Sequence, residues 1–391
     1  MTSGIVTCWK TERGRAEWTG HKHGAYIRSA PFCAINRRAS LADRLYLDHA
    51  ATTPVLPEAR QAMGEAIVRW ANPSSPHSDG RAARAALEDA RRRIAAALGW
   101  RHEVIFTSGA TEAIGIALSR AKAGRRLVSA VEHDAVLRGA ANAERLRVNR
   151  HGIVQLEDAV AAGDLVAVQQ VNNETGVIQP IDLIAYEVRQ AGGLLLADCA
   201  QAAGKMALPG ADFIAVSAHK LGGPPGIGAL LVRDLAMLEP SGGQERGYRG
   251  GTENLPAVAG FAAALEAGRD WLAEAAVLRE DLDAQLEAHG GEVIADGVAR
   301  IATIGAYRMP GMTANAQLIQ FDLAGISVSA GSACSSGSMK PSHVLAAMGM
   351  SSEATSEVIR VSFGPDTSKR DIDRFAEEWL RIAERARARA A

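Results

Sequence analysis

Between residues 104 and 232, six apolar runs of strand length alternate with segments of helical period, and this alternation limits the possible folds more than any other feature. The runs are 104–108, 126–131, 164–171, 193–198, 212–218 and 228–232. They are nearly continuous in Val, Ile, Leu and Ala, as strands buried on both faces must be. Residues 80–98 and 181–192 supply amphipathic helices between them. Strands separated by helices predict an α/β fold, a mostly parallel sheet sandwiched by helices, with ligands at the carboxyl ends of the strands. After Asn254 the pattern changes to longer helices (255–288 and 370–389) with a few strands. A smaller α+β C-terminal domain is therefore expected.

The length, 391 residues, is that of two or three domains. Residues 1–44 hold eight Lys/Arg against three acids and keep no period. They read as a disordered extension or as a start codon assigned too early. Residues 45–60 and 255–391 are expected to form the small domain, and 61–254 the large one. A net charge of −1 gives no general attraction to nucleic acid or anionic membrane. No uninterrupted apolar stretch approaches the 18 or so residues that a transmembrane helix needs. Four cysteines are too few for a disulfide framework, so a reduced, cytoplasmic protein without a metal site is expected. Only seven of the 43 basic residues are lysine, which leaves few candidates for lysine chemistry.

One of those lysines stands out. Residues 212–218 run straight into His219, Lys220 and a Gly/Pro-rich turn (222–228). A lysine at a strand end is costly to desolvate, and desolvation lowers its pKa toward the neutral amine that an aldehyde cofactor needs for attachment. Taken alone, a surface lysine in a loop explains it better. Asp198 shifts that balance, because it ends the preceding apolar run, where a carboxylate can pair with a protonated pyridine nitrogen. A helix N-cap explains Asp198 equally well. Gln201 follows on the next turn. Ser108, Gly109, Ala110, Thr111 and Glu112 join a strand to a helix, and free N–H groups there make either a phosphate cradle or an ordinary capping box. His133 lies just past another strand end, where a ring could stack on a flat cofactor or be merely structural.

Residues 329–338 are nearly all Ser, Gly and Ala around a single thiol, Cys334. Such a run cannot build a core and reads as a loop that carries a cysteine to a site. Arg360 sits inside an apolar strand-like run, where a buried anion such as a substrate carboxylate would satisfy it.

Taken together with residues 46–54, 72–77, 171–176 and 243–254, these motifs resemble the cysteine desulfurases of the NifS/IscS type, in the class V aminotransferase superfamily of fold-type I pyridoxal-phosphate enzymes. The resemblance runs from Tyr46 to about Arg370. It implies that 61–254 is the cofactor-binding domain and that Lys220 holds pyridoxal 5'-phosphate covalently and then moves protons at the substrate Cα. It implies that His133 stacks on the cofactor ring, Asp198 pairs with its nitrogen and Gln201 meets its hydroxyl. Ala110, Thr111, Ser217 and His219 would hold the phosphate, with Thr252 arriving from the other subunit of a homodimer. Asn173 would lie beside cofactor and substrate. Arg360, helped by Asn72, would bind the carboxylate of L-cysteine. Cys334 would take the sulfur as a persulfide, release L-alanine and pass the sulfur to an acceptor protein such as an iron–sulfur scaffold or a tRNA-thiolation protein. Cys199 reads as a small core residue. The alternative within the superfamily is a selenocysteine lyase or an aminotransferase, and a mobile thiol argues against the latter. A non-catalytic binding protein would need none of Lys220, Asp198, His133, Cys334 or Arg360.

Overall fold

The computed structural model describes residues 44–157, 159–331 and 341–390. The chain enters through a short strand β1 (Leu45–Tyr46) and helices α1 (Pro57–Ile67) and α2 (Ser78–Ala97). The apolar runs then become strands β2 (Glu103–Thr107), β3 (Arg126–Ser129), β5 (Leu165–Gln169), β6 (Leu194–Asp198), β7 (Phe213–Ser217) and β8 (Gly228–Val232). A short edge strand β4 (Glu144–Leu146) adds a seventh, and helices α3 (Ala110–Arg120), α4 (Asp134–Gly139) and α5 (Ile181–Gln190) connect them. Their spatial order is β2-β8-β7-β6-β5-β3-β4. Strand β8 runs antiparallel to both neighbours, while β4, β3, β5, β6 and β7 are mutually parallel. No crossover helix separates β7 from β8, so the chain can only return antiparallel, opposing Ser217 to Gly228.

The continuous apolar runs are explained by burial on two faces. Along β5, Val166 and Val168 enter one apolar cluster while Leu165 and Ala167 enter another. Likewise Ile214 and Val216 of β7 face one side, Phe213 and Ala215 the other. Alternate side chains of a strand point to opposite faces, and here both faces are covered, so neither set can be polar.

Beyond the sheet, the long helical stretch after Asn254 is two helices, α6 (Leu255–Glu266) and α7 (Trp271–Glu287), parted at residues 267–270. Helix α6 shares an apolar cluster with α2 through Phe261 and Leu87. Strands β9 (Glu292–Val293), β10 (Ile304–Arg308) and β12 (Val358–Ser362) form an antiparallel sheet in the order β12-β10-β9. Helix α8 (Ala314–Leu323) leads into β11 (Ile326–Ser327), which pairs in parallel with β1. Two short helices follow, α9 (His343–Ala347) and α10 (Ser352–Ser356), and α11 (Lys369–Ala390) closes the described chain. This part has its own core, in which Phe321 stacks on Phe375 at 4.9 Å and Trp379 packs beside both. Among the described residues no helix is long and apolar enough to cross a membrane.

Candidate active site

The parallel strands deliver three titratable side chains to their carboxyl ends. Asp198 is the last residue of β6, Lys220 ends a single 3-10 turn that follows β7, and His133 lies four residues past β3. Asp198 is buried, and Oδ1 accepts the Ala200 N–H at 2.9 Å. Burial pushes its carboxyl pKa up, opposed by that N–H, by His133 and by Lys220. Burial lowers the His133 pKa and Asp198 opposes the shift. His133 Nδ1 also accepts the Ala135 N–H at 3.1 Å, so this histidine caps α4 as well as facing Asp198. Lys220 Nζ donates to the carbonyls of Ala50 at 2.6 Å and Ala51 at 2.8 Å. Its pKa falls to about 8, first from burial and then from the nearby Arg360, against the pull of Asp48 and Asp198.

A loop that precedes the sheet in sequence wraps this cluster. Ala50 O also accepts Gln201 Nε2 at 2.9 Å. His219 Nδ1 lies 3.2 Å from Thr52 Oγ1, and the Thr53 N–H donates to His219 O at 2.8 Å. Burial and Lys220 lower the His219 pKa to about 4, so its ring is neutral. Ser362 Oγ, on β12, accepts the Ala50 N–H at 2.8 Å and ties the loop to the C-terminal sheet. Asp48, Ala50, Ala51 and Thr52 are the site residues that reasoning from side-chain type missed. Two of them act through backbone carbonyls, and their only signal was the 46–54 motif.

The α3 N-terminus supplies the other end of the site. Gly109, with φ 152°, occupies the N-cap position without a capping side chain, and Ala110 and Thr111 begin the first turn. The Ser217 hydroxyl stands beside it: a Cβ built on Gly109 would lie 3.8 Å from Ser217 Oγ. A Cβ on Gly228 would meet Val216 O at 2.4 Å and Gly109 Cα at 2.7 Å, so the two backbones can touch only at a glycine. Exposed N–H groups beside a hydroxyl suit an anion.

Arg360, in the middle of β12, is 5% exposed. Nη2 donates to Asp48 Oδ1 at 2.7 Å and Nη1 to the carbonyl of Asn173 at 2.9 Å, while Nε is buried without a partner among the described residues. It lines a cavity of about 220 Å³ together with Glu174, Gly331, Ser342 and Thr355. Lys220, Asp198 and His133 lie outside that lining.

Residues 45–375 match the aminotransferase class-V family. The chain belongs to that family. A cysteine desulfurase of Frankia sp. is 37% identical, covering 88% of this chain and 92% of its own. A second, from Cereibacter sphaeroides, is also 37% identical over 88% of this chain and 97% of its own. The X-ray structure of a NifS-like protein from Rickettsia africae superposes with a TM-score of 0.80 at 32% identity, over 87% of this chain and 99% of that one. The fold is accordingly the fold-type I arrangement expected from the sequence.

Class-V aminotransferases depend on pyridoxal phosphate, and the residues present fit that group. A desolvated lysine, a buried carboxylate and an anion cradle occupy one side of the sheet. Gln201 Oε1 is buried with no partner among the described residues, leaving an acceptor that a cofactor hydroxyl could meet. The other expected site residues are less gathered. Asn173 reaches Arg360 through its carbonyl. Asn72 is exposed, with Oδ1 accepting the Ser74 N–H at 2.8 Å inside its own turn rather than helping Arg360. Thr252 is exposed on a single chain. Cys334 lies outside the described residues. Cys199 is fully buried, and burial with the adjacent Asp198 carboxylate raises its thiol pKa well above the usual range, as for an inert core residue.

Proposed function

We propose that this chain is a pyridoxal-phosphate-dependent cysteine desulfurase, converting L-cysteine to L-alanine with transfer of sulfur to Cys334 as a persulfide. The observation that carries the reading is that the loop 48–51 ties together Lys220, an amine of lowered pKa, and Arg360, a buried guanidinium whose Nε has no partner among the described residues. An amine and a carboxylate anchor held together are what an α-amino acid substrate requires. The relatives named cysteine desulfurase, at 37% identity over most of the chain, support cysteine as that amino acid.

When bound, pyridoxal phosphate supplies an electron sink that weakens the bonds at the substrate Cα and the Cβ–S bond. Asp198 would hold the ring nitrogen, His133 the ring face and Gln201 the ring hydroxyl. Ala110, Thr111, Ser217 and His219 would hold the phosphate, completed by Thr252 of a second copy in a homodimer. Asn173 would lie beside cofactor and substrate. Arg360 would bind the substrate carboxylate, with Asn72 beside it once substrate is present. Lys220 Nζ would remove the Cα proton and return it. The Cys334 thiolate would attack the substrate sulfur, so that an S–S bond forms while the Cβ–S electron pair stays with carbon and is protonated to alanine. The persulfide would then pass to an acceptor such as an iron–sulfur scaffold or a tRNA-thiolation protein. Leu45 and Leu47 share a core with Phe321, Phe375 and Trp379, which supports a small domain formed by 45–60 and 255–391 beside a large cofactor-binding one over 61–254, although Ala50, Ala59, α6, Ile301 and Ile304 join the large core.

The test is anaerobic turnover of L-cysteine with a thiol reductant, assaying alanine and sulfide together. Equal alanine and sulfide from the wild type, both nearly abolished in Cys334→Ser, is the expected result. Pyruvate and ammonia in place of alanine would instead indicate a β-elimination lyase, and an unaffected Cys334→Ser variant would exclude the Cys334 persulfide.

A further inference from the structure

Helix α3 carries an acid at the end that should hold an anion. Glu112, in the first turn, bends back so that Oε2 accepts the Ser108 N–H at 2.5 Å. Its carboxylate therefore lies beside the backbone that leads into Gly109, Ala110 and Thr111. Partial burial would raise the carboxyl pKa, but the Ser108 N–H and Arg249 outweigh it and hold the group below its usual range, so it is ionised. An acid in a first turn suits the helix dipole by itself. It opposes a phosphate at the same terminus, because two like charges then share one set of N–H groups. The groups assigned to the phosphate, on Ala110, Thr111, Ser217 and His219, do not offset that charge, since none is a cation.

Arg249 does offset it. Nε donates to Glu112 Oε1 at 3.1 Å and Nη2 to Oε2 at 3.5 Å, and both side chains are half-buried. The arginine comes from a loop 137 positions later in the chain, and several contacts fix where it arrives. Glu245 is buried and accepts the Phe106 N–H of β2 at 2.8 Å and both terminal nitrogens of Arg91, at 2.7 and 3.0 Å. Glu245 and Arg246 take φ values of 46° and 58°, a left-handed backbone that surrounding contacts must hold. Arg120, the last residue of α3, donates to Tyr248 O at 3.1 Å, and the Tyr248 hydroxyl donates to Leu235 O at 3.1 Å. Gln244 Oε1 accepts the Gly251 N–H at 2.8 Å and closes the loop around Arg249. Residues 248 and 249 thus grip α3 at its two ends, and Glu245 grips the strand that feeds it.

We infer that Arg249 is a positioning residue for the cofactor phosphate, cancelling the Glu112 carboxylate so that the first turn of α3 can accept a second anion. The inference rests on the assignment of that turn to the phosphate, and not on which amino acid is the substrate. The requirement is for charge more than for shape. Lysine at 249 keeps the charge, whereas methionine keeps much of the length and loses it. Glutamine at 112 keeps an acceptor for the Ser108 N–H and removes the charge that needs cancelling.

The experiment measures, by visible absorbance on the full chain, the dissociation constants of pyridoxal 5'-phosphate and of pyridoxal, which lacks the phosphate. The variants are Arg249→Met, Arg249→Lys, Glu112→Gln and the double variant Glu112→Gln/Arg249→Met. A carboxylate left uncompensated close to a phosphate in a half-buried site should weaken binding by roughly 5- to 30-fold. Arg249→Met is expected to show that loss for pyridoxal 5'-phosphate and to change pyridoxal by less than about twofold. Arg249→Lys should stay within about threefold of wild type, and Glu112→Gln should bind the cofactor at least as tightly as wild type. In the double variant the affinity should return to within about threefold of wild type, because the two changes are coupled through one charge. A double variant as weak as Arg249→Met, or equal losses for the two ligands, would mean that Arg249 only holds the loop in place, and overturns the inference. So would wild-type affinity in Arg249→Met, or a weakened Glu112→Gln. A wild type that does not prefer pyridoxal 5'-phosphate to pyridoxal would overturn the phosphate assignment and the inference with it, while alanine and sulfide would still decide the desulfurase reading.

Discussion

Lys220 Nζ donates a 2.6 Å hydrogen bond to the carbonyl oxygen of Ala50, a residue 170 positions earlier in the chain. Two carbonyls hold the amine, but neither is charged, and burial with Arg360 nearby outweighs the pull of Asp48 and Asp198, so the lysine pKa falls to about 8. At pH 8 about half the amines are neutral, against well under about 1% for an ordinary lysine. Attachment of pyridoxal phosphate to the apo chain should therefore accelerate as the pH rises from 7 to 9 and level off above. Visible absorbance followed by stopped flow checks this, and a midpoint near 10 would count against it. Lys220→Ala should purify without the yellow colour.

Arg360 donates to Asp48 at 2.7 Å and to the Asn173 carbonyl at 2.9 Å, an arrangement that fixes the plane of the guanidinium. A lysine there would keep the charge and lose the fork. Arg360→Lys is expected to raise the KM for L-cysteine by roughly 10- to 100-fold, with a smaller change in kcat, because one bidentate carboxylate contact is lost. Steady-state kinetics over a range of cysteine concentrations measures the split. An unchanged KM would remove Arg360 from substrate binding.

Gly228 allows β8 to touch the start of α3, since a Cβ there would lie 2.4 Å from Val216 O and 2.7 Å from Gly109 Cα. Gly228→Ala should cost about 1–3 kcal/mol of stability by overpacking. It should also weaken cofactor affinity, because the displaced backbone is the N-cap of the anion cradle. Thermal unfolding of the apo chain, compared with cofactor titration, separates the two effects.

Much of this architecture is legible in the sequence, for identifiable reasons. Six strands announce themselves because both faces are buried and their central residues must be apolar, as in β7 with Phe213, Ile214, Ala215 and Val216. Strand β4 does not, because Glu144 and Arg145 are exposed at the sheet edge. Within the site, Lys220 and Asp198 are legible because a charged group ending an apolar run has a desolvation cost that needs a reason. The parts that escape are contacts between distant segments made by groups without distinctive chemistry. Ala50 offers only a carbonyl, whose part in the site depends on Lys220, 170 residues away.

His49 is buried with Nδ1 unpartnered among the described residues, and burial and Lys205 lower its pKa to about 4, the same value as His219. In the unfolded chain both would titrate near about 6.5. Between those values the unfolded state binds more protons than the folded one, so stability falls as pH drops from about 6.5 toward 4 and is independent of these groups above that window. The slope of Tm against pH over this window should be shallower in His49→Gln, with the remainder left to His219 and the carboxylates. Parallel slopes in wild type and variant would exclude His49 as a contributor.

Cys199 and Cys334 should behave as opposites. Cys199 is fully buried in the apolar cluster under the large sheet, and its thiol is pushed well above the usual range by burial and by the Asp198 carboxylate beside it. Only the thiolate attacks, so a buried thiol of raised pKa is inert however close it lies to the cofactor residues. Alkylation of the native chain should spare Cys199 and label it only after denaturation, as peptide mass mapping would show. Cys199→Ala should lose about 1 kcal/mol of stability from the missing sulfur contacts and retain alanine formation. Cys334→Ser should retain stability and lose alanine formation. If instead Cys199→Ala abolished turnover while folding and cofactor content were intact, Cys199 would be a second participant in sulfur transfer rather than part of the core.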